Sequence, residues 1–279
     1  MTPALADDRA APARFTSARR AVQSAFALLF LVAPFLATTW VGGTAIALRL
    51  GPVDVLEPTS ALSATLASGA LTTVTVLGVL PLVAVTFAFG SVFCGWMCPY
   101  GFLSEGLDAL LRGRRARWAG QPWRSARAPR FAILGALLLL SLLAGAPLVA
   151  LLAPPRLLPA LPLEVRVLAA APAVTLSLLL PFLAADVLLR RRIVCRVLCP
   201  VGGGAALMRA PFTWRPRHDP ERCSCAATPA CLTACKWGLD PRHMAWSDGC
   251  TACLACVEHC PSGALQLRHR TTRPTQEKR

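Results

Sequence analysis

Four apolar runs limit what this 279-residue chain can become. Residues 21–41, 71–90, 131–152 and 167–189 hold one charged side chain among them, Asp186. Each run is close to the ~20 residues that a helix needs to cross a hydrocarbon core of roughly 30 Å. Pro81 lies inside the second run, and Pro172 and Pro181 inside the fourth. Proline is costly in a water-facing helix, but in lipid neighbouring helices can re-satisfy the freed backbone groups. Helices of a soluble bundle would show an amphipathic period and charged faces, which these runs lack. The sequence therefore predicts four membrane-spanning helices arranged as two hairpins.

Basic residues then set the orientation. Of 29 Lys and Arg, four precede the first run, seven lie between the second and third, and fifteen follow the fourth. Only Arg49, Arg156 and Arg166 fall on the other side. Lys and Arg collect on cytoplasmic flanks, so both termini of a multi-pass chain are expected in the cytoplasm. The net charge of +15 is thus a topology signal. Nucleic acid is not an expected partner, because 15% charged residues and a mean hydropathy of +0.53 leave little polar surface for it. The first run is long for a secretory signal and no persuasive cleavage site follows it, so an uncleaved anchor is expected. Trp40 and Trp96 read as interfacial anchors.

All 12 Cys fall on the predicted cytoplasmic side, where thiols stay reduced and metal or redox chemistry is favoured over disulfides. Four of them form a repeat. Cys94-x3-Cys98-Pro99-Tyr100-Gly101 follows the second run, and Cys195-x3-Cys199-Pro200-Val201-Gly202 follows the fourth. On a helix, residues four apart share a face, so each motif would present a thiol pair. The two pairs could supply four ligands to an additional metal or cluster, or act as redox thiols. The blander alternative is that they are small packing residues.

The other eight lie in the tail. Cys250-x2-Cys253-x2-Cys256-x3-Cys260-Pro261 is the bacterial iron–sulfur run, whose gaps wind thiolates around a cubane. A zinc knuckle would more often show two separated Cys pairs or His partners. Upstream, Cys223, Cys225, Cys231 and Cys235 form a degenerate run, with Thr228 where a Cys is expected and Lys236 where Pro usually closes it. In two-cluster ferredoxins the fourth Cys of each run serves the other cluster. That rule gives Cys235, Cys250, Cys253 and Cys256 to one [4Fe–4S] cluster, and Cys223, Cys225, Cys231 and Cys260 to a second. Iron held by these eight is the expected metal.

The predicted architecture is an all-α membrane protein of four transmembrane helices in two hairpin repeats, with a small C-terminal 2[4Fe–4S] ferredoxin-like α+β domain. Its parts are a cytoplasmic tail (1–20), a first hairpin (21–92), a Cys motif with a basic loop (93–130), a second hairpin (131–190), a second Cys motif with linker (191–215) and the ferredoxin-like domain (216–279). Asp186, the intramembrane acid, is a candidate acceptor for quinol protons, though a pair with Arg190 would also account for it. His218, His243, His259 and His269 show no metal-like spacing and read as surface residues. No Rossmann fingerprint, P-loop or nucleophilic triad is present, so any catalysis would be quinol oxidation.

With its two Cys-x3-Cys-Pro pairs ahead of paired tail runs, and the segment from Val53-Asp54 to Ser68-Gly69 before the second span, the chain resembles the NapH family of membrane-bound polyferredoxins. The similarity extends over nearly the whole chain. It implies an inner-membrane protein with four spans and two cytoplasmic [4Fe–4S] clusters. In NapH systems electrons pass from quinol through a periplasmic ferredoxin, NapG, toward a periplasmic nitrate reductase. The implied partners are the lipid bilayer, the quinone pool and a periplasmic or membrane-attached ferredoxin or cytochrome. The implied role is that of an electron-transfer component, a quinol dehydrogenase subunit being one form of it. The degenerate Cys223–Cys235 run departs from the NapH pattern and keeps open the sister MauN type, which serves methylamine utilisation by electron transfer or by maturing a periplasmic dehydrogenase.

Overall fold

The computed structural model describes residues 14–35, 41–110, 127–168, 172–189, 192–209, 213–225, 230–244 and 248–268. Trp40, Arg190, Thr228, His269 and most of the basic loop lie outside the described residues.

Apolar sequence becomes helix where expected, with different ends. The first helix, α1 (Arg14–Val32), continues through a tight turn to Phe35, giving 22 residues long and apolar enough to cross a membrane. The helices that answer the other three runs are α3 (Thr73–Phe89), α6 (Arg127–Ala144) and α9 (Ala173–Leu189). Their apolar lengths are each 17 residues or fewer, about 26 Å at most. Thr72 caps α3 by accepting from the Thr75 N–H, and Gly90 ends it. The third run is not one helix. Gly145, at φ +61°, stops α6, and Pro147 leads into a separate short helix, α7 (Leu148–Leu152). Residues 167 and 168 of the fourth run belong instead to α8 (Pro154–Leu168). Large apolar side chains on all four long helices face outward, among them Leu28, Leu77, Leu139, Leu143, Leu180 and Leu188.

An antiparallel meander that the apolar pattern did not announce follows α1: β1 (Val41–Thr44), β2 (Ala47–Leu50) and β3 (Val53–Leu56). Gly43, at φ +97°, and Gly51, at φ +59°, allow its two reversals. Ala45 and Ile46 at the first reversal are buried in the main core, and the Ile46 carbonyl accepts from the Glu57 N–H at 2.8 Å. Glu57 in turn caps α2 (Pro58–Ser68), taking the N–H groups of Thr59 at 3.0 Å and Ser60 at 2.7 Å.

The two halves interlock. From the first half, α2 packs against α6 and against α10 (Pro200–Leu207), both of the second half. The hydroxyl of Ser63 meets that of Ser141 at 3.0 Å and accepts from the Val149 N–H at 3.2 Å. A Cβ on Gly204 of α10 would collide with Thr59, so only glycine permits this approach. From the second half, α8 packs against α1 and α5 (Pro99–Leu110) of the first. The segments between runs, read from sequence as outer loops, are therefore folded back into the body. The tail is joined to α3, where Thr213 Oγ1 and Trp214 N each donate at 2.9 Å to the carbonyls of Phe87 and Ala88. Strands β4 (Arg215–His218) and β5 (Leu265–Arg268) pair antiparallel and close the tail around α11 (Ala230–Ala234) and α12 (Ala255–Glu258).

Candidate iron–sulfur sites

The two Cys-x3-Cys-Pro motifs share one backbone geometry. In α4 (Val92–Trp96) and the turn after it, the N–H of Cys98 donates back five residues to Phe93 at 2.9 Å. In the π turn Val194–Leu198, the N–H of Cys199 donates five residues back to Val194 at 2.7 Å. Each motif is thus wound one residue wider than the plain helix that places residues four apart on one face. Proline then opens a new helix at its first turn, where its missing N–H costs nothing. The glycine two residues later is required by proximity: a Cβ on Gly101 would stand 3.1 Å from the Cys94 carbonyl, and one on Gly202 3.3 Å from that of Cys195. At this helix start the Gly101 N–H donates to Cys98 Sγ at 3.4 Å.

Interlocking brings both pairs to one place. Cys94, Cys98, Cys195 and Cys199 line a single, mostly enclosed cavity, together with Tyr100, Arg130, Pro154 and Trp237. Gly249 and Thr251 of the tail complete its wall. Burial pushes the Cys98 thiol up to about 11 and the Cys199 thiol up to about 12, and also raises Cys94 and Cys195 well above the ordinary thiol range. Thiols held neutral in this way are poor nucleophiles, which disfavours thiol–disulfide exchange. Coordinated iron would reverse the balance, because a bound cation deprotonates its thiol ligands outright. The donor set, four thiols in a dry cavity, suits a cluster.

Asp186 stitches the two motifs together. It is fully buried and accepts from Tyr100 Oη at 3.0 Å, Ser104 Oγ at 3.3 Å and the Val194 N–H at 3.0 Å. Tyr100 follows the first pair and Val194 precedes the second.

The eight tail thiols fall into two neighbouring groups. Cys235, Cys250 and Cys253 pack around Trp237 and Leu239, and Cys256 faces all three. Cys256 and Cys260 pack with Cys231 and Leu265, and the charges of Cys225 and Cys260 both act on Cys231. Arg242 faces Cys231 and Cys223. All 12 Cys are free of disulfides. Among the described residues no three His, Cys, Asp or Glu side chains stand close enough to hold a single metal ion. A zinc site would draw its thiolates to within about 4 Å of one another, whereas a cubane takes one thiolate at each of four separate irons.

What the sequence did not reveal is the buried charge. Arg19, Arg130, Arg192, Arg196 and Arg209 are each 5% exposed or less. Glu105 on α5 gathers three cations: Arg19 by a bidentate pair, Arg192 at 3.8 Å and Lys236 at 3.4 Å. Burial alone would raise the Glu105 carboxyl, but Arg19, Lys236 and Arg192 overcome it and hold it at about 2. Lys236, which stands in place of the expected proline, therefore ties the degenerate run to the body. Trp96, read as an interfacial anchor, instead donates Nε1 to the Ala252 carbonyl at 3.0 Å and joins body to tail. Five basic residues counted toward orientation are thus internal, and nothing in an isolated arginine distinguishes the two uses.

Comparisons with known proteins follow the same division. A family model described as a 4Fe-4S binding domain matches residues 71–117 and again residues 172–217, each stretch carrying one Cys pair. Another model of that description matches residues 246–266. The methylamine utilization ferredoxin-type protein MauN of Methylobacillus flagellatus is 29% identical over 80% of this chain and 76% of its own length. YccM of Escherichia coli K12, named as an electron transport protein, is 28% identical over 70% of this chain, which spans 57% of YccM. No solved structure matches the chain.

Proposed function

We propose that the chain is a NapH/MauN-type ferredoxin-type protein, a multi-pass inner-membrane component that transfers electrons through iron–sulfur clusters between the quinol pool and a periplasmic redox system. We propose three cluster sites: Cys94, Cys98, Cys195 and Cys199 in the body, Cys235, Cys250, Cys253 and Cys256 beside it, and Cys223, Cys225, Cys231 and Cys260 beyond. Bound there, [4Fe–4S] clusters would supply single-electron chemistry at potentials tuned by their surroundings.

The observation that carries the reading is the shared wall of the four-thiol cavity. Trp237, Gly249 and Thr251 belong to the tail yet line that cavity, and Cys195 of the body packs into the Trp237 cluster that holds Cys235, Cys250 and Cys253. The first two sites are neighbours through a few side chains. Cys256, which contacts both tail groups, links the second to the third. Outward-facing leucines on α1, α3, α6 and α9 support a lipid-covered body, since soluble monomers seldom expose apolar patches this extended. The 17-residue helices would fit a locally thinned bilayer.

Detergent-purified protein should be brown, contain about twelve irons per chain at four per cubane and exchange electrons with a quinone analogue. Cys94→Ser or Cys199→Ser should lower the content to about eight irons, with the EPR signals of the tail retained. Eight irons in both wild type and variant would overturn the body site, and recovery without membranes would overturn the membrane reading. MauN favours a second role, support of a periplasmic methylamine-oxidising system. In that case the Cys94 variant would abolish maturation of the partner while quinone exchange persists.

A further inference from the structure

Arg19 and Arg192 have a carboxylate to answer them at Glu105; Arg130 is placed differently. It projects from the first turn of α6 and is 5% exposed. Its Nε donates to the Arg196 carbonyl at 2.6 Å, between the two cysteines of the second motif. The same side chain lines the four-thiol cavity and is attracted to Cys94, Cys199 and Cys195. Its far end rests on Gly249, the residue before Cys250. A Cβ at Gly249, whose φ is +70°, would collide with the guanidinium. Asp248, one residue earlier, is an acid that also acts on Arg130. One guanidinium therefore stands between the body thiols and Gly249 beside Cys250, where a second buried arginine, Arg209, hydrogen-bonds Cys250 itself. Cys223, Cys225, Cys231 and Cys260 lie beyond the second set and have Arg242 as their facing cation.

A cubane held by four thiolates is negative overall, and each electron accepted makes it more so. A buried cation beside it stabilises the reduced form more than the oxidised form, and does so strongly where water is excluded. Arginine suits this task because it does not lose its proton in proteins. Glu57, the buried acid that acts on Cys94 and Cys199, opposes it from another side of the body site.

We propose that Arg130 is a positioning residue shared by two cluster sites: its charge holds up the reduction potentials of the body site and of the adjacent Cys235/Cys250/Cys253/Cys256 site together, while the outer tail site is left unmoved. The proposal rests on the three-cluster reading.

EPR-monitored redox titration of the full-length protein, at measured iron content, tests it. Arg130→Met should shift the electron-transfer equilibrium of two clusters toward the oxidised form by tenfold or more, equivalent to 59 mV for one electron, with the third unchanged. Arg130→Lys keeps the charge and should recover at least half of the shift. Gly249→Ala keeps the arginine but displaces its tip, and should fall between wild type and Arg130→Met. If Arg130→Met fails to load iron, these two variants carry the same readout. Unmoved potentials, equal movement of all three clusters, or an Arg130→Lys shift as large as that of Arg130→Met each overturn the proposal. Iron content separates the two failures. Twelve irons with unmoved potentials overturn the role of Arg130 alone, whereas eight irons in wild type overturn the three-cluster reading and the proposal with it.

Discussion

The two copies of the Cys-x3-Cys-Pro-x-Gly motif have the same thiols, the same five-residue backbone closure and the same crowded glycine, yet they touch different neighbours. In the first copy the residue after the leading cysteine is Gly95, and a Cβ there would stand 2.5 Å from the Thr251 carbonyl of the tail. In the second copy the equivalent residue is Arg196, whose side chain is buried and whose carbonyl receives Arg130. The repeat fixes where sulfur goes. The carbonyl at this position takes an arginine in both copies, Arg19 at Gly95 (3.4 Å) and Arg130 at Arg196 (2.6 Å). What differs is the side chain, and the bare Gly95 is what lets the tail loop approach the first copy.

Exchanging these two residues is the severest way to break that difference. Gly95→Arg must place a long side chain where even a methyl group meets backbone, beyond the roughly 1–3 kcal/mol typical of overpacking. The tail should separate from the body, seen as proteolysis between residues 209 and 213 and as loss of the Trp96–Ala252 contact in tryptophan fluorescence. Arg196→Gly should cost far less, because the carbonyl that Arg130 uses belongs to the backbone. Equal damage from both substitutions would mean that the copies are interchangeable.

Glu105 sharpens the comparison at the next level, since it draws on both halves and the tail: Arg19 from α1, Arg192 from the approach to the second motif, and Lys236 from the degenerate run. Its carboxyl is held at about 2 in the folded protein, against an ordinary value of about 4.3 when unfolded. A depressed carboxyl stabilises the fold above the unfolded value and ceases to do so as pH falls through the folded one. Wild type should therefore lose on the order of 3 kcal/mol between about pH 4.5 and pH 2 from this group. Glu105→Gln should be weaker at neutral pH by a similar amount and show a flatter acid limb in thermal melts. An unaltered acid limb would show that the hub does not hold the three parts together.

How much of this was legible depended on whether the signal was local. Repeated spacing marked the four body thiols that one cavity brings together, because ligand geometry is written in short intervals, while the crossed grouping of the eight tail thiols stays a proposal. The interlock was not legible. Residues 53–69 and 154–168 lie between apolar runs and read as outer loops, yet Glu57 and Pro154 approach the thiols because α2 packs on the opposite half, and α8 does likewise. Such pairings depend on partners far along the chain, as Ser63 does on Ser141, 78 residues away. The meander escaped notice because Val41–Leu56 lacks a sustained alternation of apolar and polar residues. Arg130 was hidden for another reason: at the basic edge of an apolar run, a residue satisfies the orientation rule whether it faces water or the protein interior.

The smallest predicted effect concerns α1, which leads into the first half and is held by the tail at its start. Glu258, on the short helix that carries Cys256, accepts from the Phe15 N–H at 3.0 Å and from Thr16 Oγ1 at 2.5 Å. These are N–H and hydroxyl groups of a first helical turn that has no partner within its own helix, and a carboxylate there also complements the helix dipole. The cap comes from a sequence position more than 240 residues away, so it fastens α1 only while the tail is docked. Glu258→Gln keeps one acceptor and removes the charge, a loss of about 0.5–1 kcal/mol. It should show as faster amide exchange confined to the first turn of α1, with exchange in α6, the opening helix of the other half, unchanged. Equal acceleration in α6 would mean that the tail steadies both halves alike, which the contacts around Gly95 and Trp96 argue against.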